Sequence, residues 1–189
     1  MLPDEADVLV VQDNPLEIEL TLRPLHELDP GCRVGVARDG EEALDYLLAR
    51  GAFRHRLGLP LPHLVLLDLK LPRLDGVEVL RALRASPRAG STPVVMLVPA
   101  DDSRELAQCY QVGANSCVQK PVDYQEFYRT IQLIGRYWLG ANLVAAGQHG
   151  SGAVVATSRI EARRRNRSGT DGPVVERAGT SDRIGKVGR

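Results

Sequence analysis

The chain lacks the features of several large protein classes. No apolar run in its 189 residues approaches the roughly 20 that a membrane-spanning helix needs. The acidic start, Met1–Asp7, is unlike a signal peptide. The three cysteines are widely spaced and form no CxxC pair, which favours free thiols in a reducing compartment over a disulfide framework or a zinc site. We therefore predict a cytoplasmic protein with no membrane segment.

Neither sign of charge dominates, since the formal net charge is zero, but the charge is unevenly distributed. From residue 151 to the end, nine Lys and Arg face four Asp and Glu, so this segment carries about +5 and the rest about −5. Periodicity also fades after about residue 140. We predict a folded domain over residues 1–146 and a disordered basic tail over residues 147–189. The tail is too short and too poor in apolar residues for a DNA-binding domain.

Strand-like segments alternate with amphipathic, helix-like segments along the first 140 residues. This alternation is typical of βα units and predicts a parallel sheet. Open α/β sheets have their functional sites at the carboxyl ends of the strands. We therefore expect one sheet edge to carry the residues that end the four clearest strands: Asp13, Asp68, Val98 and Lys120. A weaker strand is predicted at about Arg33–Ala37.

The helix starts can be predicted because five Asx-x-x-Glu patterns occur along the chain. In such a pattern the Asp or Asn side chain accepts an amide hydrogen of the first helical turn, and the Glu reaches back to the capping residue. The patterns begin at Asn14, Asp39, Asp75, Asp102 and Asp123. They predict helices starting near residues 15, 40, 76, 103 and 124. The stretch over residues 51–62, rich in Gly, Pro, Arg and His, is predicted to be a loop.

Three motifs carry a family resemblance: Val11-Gln12-Asp13-Asn14-Pro15, Leu67-Asp68 through Asp75-Gly76, and Gly113-Ala114-Asn115 leading to Lys120-Pro121. Over roughly residues 7–140 the chain resembles the receiver domain of bacterial two-component response regulators. It is similar to the single-domain regulators that partner bacterial phytochromes. The resemblance implies a doubly wound, flavodoxin-like fold with a five-stranded parallel sheet in the order 2-1-3-4-5 and five helices. It also implies a sensor histidine kinase, with a bacterial phytochrome among the candidates, as partner.

The resemblance assigns roles to residues at the motif positions. Asp68 would accept a phosphoryl group, forming an aspartyl phosphate. Mg²⁺ would be held by Asp13, Asp68 and the backbone carbonyl of Lys70, because a hard cation takes oxygen ligands. Lys120 would pair with a phosphoryl oxygen, turned inward by a cis Lys120–Pro121 peptide bond.

Three residues depart from the family pattern. Gln12 stands where an acidic residue is usual; its amide oxygen can still accept a hydrogen bond from metal-bound water, but it carries no charge. Val98 stands at the switch position, where Thr or Ser would donate a hydrogen bond to the phosphoryl group. Cys117 replaces a switching aromatic residue and can be buried as a small hydrophobe. Phosphorylation is therefore expected to have a reduced structural effect.

Other interpretations remain at this point. Asp68 and Asp13 could be ordinary turn residues, and Lys120 a surface lysine. The domain could be a phosphorylation-independent module for binding and dimerisation. An enzyme is not expected: a haloacid-dehalogenase-type phosphatase needs an acid where Lys70 stands, and a dinucleotide-binding domain needs a glycine-rich turn after the first strand.

The last helix carries an apolar stripe at helical spacing: Tyr124, Phe127, Ile131, Ile134 and Trp138. Such a stripe usually packs against the core. Its extension to Trp138 leaves apolar surface for a partner. We therefore predict a homodimer through the last helix and the neighbouring strand and helix surfaces.

Overall fold

The computed structural model describes residues 2–99 and 103–142, and it is built from alternating strands and helices. The strands are β1 (Val8–Val11), β2 (Val34–Ala37), β3 (Leu64–Asp68), β4 (Val94–Val98) and β5 (Ser116–Gln119). The helices are α1 (Pro15–Leu28), α2 (Gly40–Leu48), α3 (Gly76–Arg84), α4 (Ser103–Val112) and α5 (Tyr124–Gly135). All strand pairs are parallel, in the order β2-β1-β3-β4-β5. The predicted fold is therefore confirmed. The predicted tail, residues 147–189, and the boundary before it lie outside the described residues.

The sheet is covered on both faces, which is typical of parallel sheets. Side chains alternate across β1: Leu9 and Val11 join the core on the side of α2, α3 and α4, while Val8 and Val10 join the core on the side of α1 and α5. All residues of β1, β3 and β4 are buried. The register places Asp68 opposite Leu97. The strand ends are thus nearly level, and the residues that follow them meet at one edge.

The capping residues account for the helix starts. Asp39 and Asp123 accept the amide three residues on, at 2.8 and 2.9 Å. Asn14 and Asp75 accept the amide two residues on, at 3.0 and 2.8 Å. The five helices begin at the predicted positions. Asp102 lies outside the described residues.

The segment over residues 51–62 is more ordered than the predicted loop, because Gly51–Gly58 forms a 3₁₀ helix. Arg56 in this helix is fully buried. Its guanidinium stacks on the Tyr46 ring, 3.4 Å from the centroid, and donates to the carbonyl oxygens of Asp4, Tyr46 and Pro60. A buried cation whose three nitrogens each donate a hydrogen bond fixes its segment. The loop prediction was therefore wrong for Gly51–Gly58, whereas residues 59–62 form no helix or strand.

The stripe on α5 is confirmed as core at Phe127, Ile131 and Ile134, which are buried against α1 and the sheet. Tyr124 is 38% exposed and lies at the margin. A π-helical turn, Arg136–Ala141, extends the helix and brings Trp138 into contact with the core. Among the residues that the structure describes, no helix is long and apolar enough to cross a membrane.

Candidate functional site

Asp68, the last residue of β3, is the centre of the candidate site. It is only 3% exposed. Its Oδ2 atom lies 2.9 Å from the Lys120 ammonium, and its Oδ1 atom is buried without a hydrogen-bond partner. The following loop can fold back over the strand end because α3 begins at a glycine. A Cβ atom on Gly76 would collide with the Asp68 carbonyl oxygen.

Lys120 follows β5, and its side chain reaches Asp68 across the end of β4. Its amide donates to the Val98 carbonyl oxygen at 2.7 Å, which fixes the backbone at the strand end. Its ammonium also lies 2.9 Å from Glu17 Oε2 on α1. The expected cis peptide before Pro121 is wrong, since the described residues contain no cis peptide bond. The lysine faces inward with a trans bond because β5 and the bond to Val98 direct it.

Burial and neighbouring charges act against each other in this pair. Burial raises the pKa of the Asp68 carboxyl above its usual value, and the charge of Glu17 adds to that effect, while Lys120 opposes it. Burial alone would lower the pKa of Lys120, but its hydrogen bonds to Asp68 and Glu17 raise it overall. The ammonium therefore stays charged, and the Asp68 carboxylate is held at an energetic cost.

Asp13 and Gln12 face different surroundings. Asp13 is exposed, whereas Gln12 is fully buried. Gln12 Oε1 accepts a 2.9 Å hydrogen bond from the Thr21 hydroxyl on α1, and its Nε2 atom is buried without a partner. The amide oxygen that was expected to face metal-bound water is therefore occupied by Thr21. Through this hydrogen bond, Gln12 connects the end of β1 to α1.

The donor atoms at this edge are compatible with a hydrated hard cation. Within residues 2–99 and 103–142, no group of three His, Cys, Asp or Glu side chains is placed to hold a metal ion. Asp68 Oδ1 is nevertheless a buried carboxylate oxygen without a hydrogen-bond partner, and Asp13 lies two residues beyond the end of the neighbouring strand β1. Mg²⁺ is usually bound by one or two carboxylates and keeps several waters. The Asp68 and Asp13 carboxylates are therefore donors of the kind that a hydrated divalent cation binds.

Val98 and Cys117 lie on the face of the sheet that α3 and α4 cover. Val98 is 4% exposed and packs in the core with α3 and α4. Cys117 is half-buried, and its thiol is hydrogen-bonded to that of Cys109 on α4. Its amide donates to the Tyr110 hydroxyl at 3.2 Å. Burial raises the pKa of the Cys109 thiol to about 12. Cys117 is therefore a polar contact between β5 and α4 as well as a small hydrophobe.

Glu17 is the residue that sequence reasoning missed. The sequence pattern explains it as the Glu of the first Asx-x-x-Glu pattern, and its Oε1 atom does lie 3.5 Å from the Asn14 side-chain nitrogen. The other carboxylate oxygen binds Lys120. The available signal was its position in the first turn of the helix that follows β1. That turn faces the same sheet edge as Asp68.

The chain is similar to known proteins in sequence and in structure. A protein family described as the response regulator receiver domain matches residues 8–132. The probable methanogenesis regulatory protein FilR2 of Methanothrix harundinacea is 39% identical over 140 residues, which cover 74% of this chain and 87% of the relative.

Two solved structures are also similar. The phosphorylated cyanobacterial phytochrome response regulator RcpA is 28% identical, with a TM-score of 0.68, over 73% of this chain and 96% of its own. The Mn²⁺-bound form of the response regulator Rcp1, a protein of Synechocystis, is 26% identical, with a TM-score of 0.65, over 75% of this chain and all of its own.

Proposed function

Because this chain belongs to the response regulator receiver domain family, we propose that it accepts a phosphoryl group at Asp68 and signals through protein–protein contacts. The carrying observation is the geometry of Asp68. It lies 2.9 Å from the Lys120 ammonium, with its second carboxylate oxygen buried and without a hydrogen-bond partner. A carboxylate held beside a cation, with one oxygen available, can act as a nucleophile towards phosphorus.

In the proposed reaction, Asp68 Oδ1 forms a bond to phosphorus as the bond to the donor breaks. The ammonium of Lys120 then pairs with a phosphoryl oxygen through a charge-assisted hydrogen bond. Asp13, Asp68 and the backbone carbonyl of Lys70 would hold Mg²⁺, which neutralises phosphoryl oxygens during such a transfer. The protein would act as a signalling component that is modified once per cycle and turns over no other substrate.

We further propose that the phosphoryl donor is a sensor histidine kinase of the phytochrome type. The support is the similarity to RcpA, which is described as a phytochrome response regulator. The test is a phosphotransfer assay with Mg²⁺ and a purified phytochrome-type kinase. Asp68→Asn should abolish labelling. Asp123→Asn is a matched control, since it also removes one carboxylate but keeps a side chain that caps α5 equally well. Equal labelling of Asp68→Asn and the unmodified protein would reject Asp68 as the acceptor.

A second candidate function is a phosphorylation-independent module for binding and dimerisation. Two observations favour it: Val98 offers no hydroxyl, and Gln12 is engaged with Thr21 instead of facing the site. In this function the domain signals through association alone. It would take no label in the phosphotransfer assay, yet it would still associate.

The surface that we propose for a homodimer lies on α5 and its π-helical extension. Leu133 and Tyr137 are 66% and 54% exposed, and they stand four residues apart, so they share one helix face. Tyr137→Asp should shift the protein from dimer to monomer in light scattering. Arg81→Asp, an exposed charge reversal on α3 across the sheet from α5, is the control. An unmodified protein that is monomeric at high micromolar concentration would contradict the dimer.

A further inference from the structure

The Lys120 ammonium is shared by two carboxylates, and the proposed phosphotransfer uses only one of them. Its Nζ atom lies 2.9 Å from Asp68 Oδ2 and 2.9 Å from Glu17 Oε2. The lysine side chain is 19% exposed, that of Asp68 4% and that of Glu17 32%. Glu17 therefore stands at the solvent side of the pair, while Asp68 stands on the inner side. Lys120 bridges the first turn of α1 and the end of β3.

The position of Glu17 is fixed by local structure. Asn14 caps α1 through its side-chain oxygen, and Pro15 presets the first helical residue. The Asn14 side-chain nitrogen lies 3.5 Å from Glu17 Oε1. The other carboxylate oxygen, Oε2, contacts the Lys120 ammonium. The carboxylate is thus placed from two sides. It supplies, on the α1 side of the site, the negative charge that Gln12 does not carry.

We propose that Glu17 is a positioning residue that holds the Lys120 ammonium and competes with the phosphoryl group for it. This inference rests on the proposed function. When Asp68 Oδ1 bonds to phosphorus, the new phosphoryl oxygens need the ammonium that Glu17 also binds. Glu17 therefore weakens the ion pair between Lys120 and the phosphoryl group. Its charge also repels an incoming phosphoryl anion. Both effects make phosphorylation slower and the phosphorylated site less stable.

Removing the Glu17 charge should therefore favour the phosphoryl group. In Glu17→Gln the side chain keeps an acceptor oxygen but no charge, so Lys120 is released towards Asp68 and the phosphoryl oxygens. We expect beryllofluoride to bind roughly two- to fivefold more tightly, the size typical of a partly exposed ion pair. Labelling by acetyl phosphate, in which acetate leaves as the Asp68–phosphorus bond forms, should accelerate by a similar factor. Glu17→Asp keeps the charge but withdraws it by one methylene, and it should fall between.

The control is Glu19→Gln, which removes one carboxylate from the exposed side of the same helix. The full chain is studied with Mg²⁺, and three quantities are measured for each variant. These are the beryllofluoride dissociation constant, the labelling rate with acetyl phosphate, and the ¹⁵N resonance of the Lys120 ammonium without phosphate. The Lys120 resonance should move in Glu17→Gln and stay in place in Glu19→Gln. A general effect on helix stability would not produce that difference.

Two outcomes would overturn the proposal: an unchanged Lys120 resonance and beryllofluoride affinity in Glu17→Gln, or equal changes in Glu19→Gln. The resonance also separates this proposal from the proposed function. If the unmodified protein takes neither label nor beryllofluoride, the proposed function fails and this inference fails with it. If it takes both and Glu17→Gln behaves like the unmodified protein, only the role of Glu17 is rejected.

Discussion

The two ends of the sheet are built in opposite ways. At the amino end, Arg84 donates to the carbonyl oxygens of Gly90, Thr92 and Gly113 and to the Asn115 side chain, at 2.7 to 3.0 Å. Its donors are used and the loops before β4 and β5 are joined. At the carboxyl end, Asp68 Oδ1 and Gln12 Nε2 are buried without partners. A satisfied polar network stabilises a fold, whereas an unsatisfied one keeps groups available for chemistry at a cost in stability.

The largest effect is expected from a substitution at the amino end of the sheet. Arg84→Ala should lower the free energy of unfolding by about 2–4 kcal/mol, because it strands several carbonyl groups that lose their donor. Urea denaturation measures the change. Arg81→Ala, on the exposed face of α3, is the control and should change stability little. A loss below about 0.5 kcal/mol for Arg84→Ala would show that water satisfies these carbonyls as well.

The next largest effect concerns the switch at Val98. Its missing hydroxyl removes a hydrogen bond to a charged group, typically ~1.5–3 kcal/mol, or about ten- to hundredfold in an equilibrium. Beryllofluoride should therefore change backbone NMR shifts and dimer affinity only slightly in the unmodified protein. Val98→Thr should enlarge the response, and Val98→Ala, which also lacks a hydroxyl, should not. A large response in the unmodified protein would restore an ordinary phosphorylation switch.

Removing the Asp68 carboxylate should remove a stability cost at the carboxyl end of the sheet. Because burial outweighs Lys120 and raises the pKa of Asp68, ionisation of this group costs stability at neutral pH. Lys120 keeps its pair with Glu17, so Asp68→Asn should raise the free energy of unfolding at pH 7 without added metal, by about 1 kcal/mol as is common for stabilising substitutions. Asp123→Asn again serves as control. A destabilised Asp68→Asn would mean that the pair with Lys120 is net favourable.

The same group predicts a pH dependence. A carboxyl with a raised pKa binds more protons in the folded than in the unfolded state, so its contribution to stability falls as the pH rises through the folded-state pKa. The advantage of Asp68→Asn should therefore shrink as the pH is lowered from 7 towards the usual carboxyl range. Paired thermal melts of the two proteins across this range measure the difference. An advantage that grows on acidification would contradict the raised pKa.

The smallest effect is expected at Gln12. Gln12→Glu adds a carboxylate near the proposed Mg²⁺ ligands and should tighten Mg²⁺ binding several-fold, as measured by calorimetry. It also buries a charge beside Thr21, so metal-free stability should fall. An unchanged Mg²⁺ affinity would show that this side chain stays directed towards Thr21.

The sequence predicted those features that are encoded locally. Helix starts followed from capping residues such as Asp39 and Asp123, and the strand ends followed from apolar runs. The buried Arg56 could not be predicted, because its partners lie on α2, at the chain start and beyond the 3₁₀ helix. Glu17 and Lys120 stand 103 residues apart, and a capping interpretation already accounted for Glu17. A sequence pattern therefore does not reveal a contact between distant segments when each residue in the contact already has a sufficient local role.

The contact between Tyr110 and Cys117 has a consequence for how β5 meets other chains. Amides alternate in direction along a strand, and the Lys120 amide faces β4, so the Cys117 amide, three residues earlier, faces the open edge of the sheet. An open edge is a template for adding a strand from another molecule. The Tyr110 hydroxyl oxygen accepts the hydrogen bond from the Cys117 amide. With this amide engaged, adding a strand from a second copy along β5 is less favourable, and an interface made by side chains is favoured over a continuous intermolecular sheet.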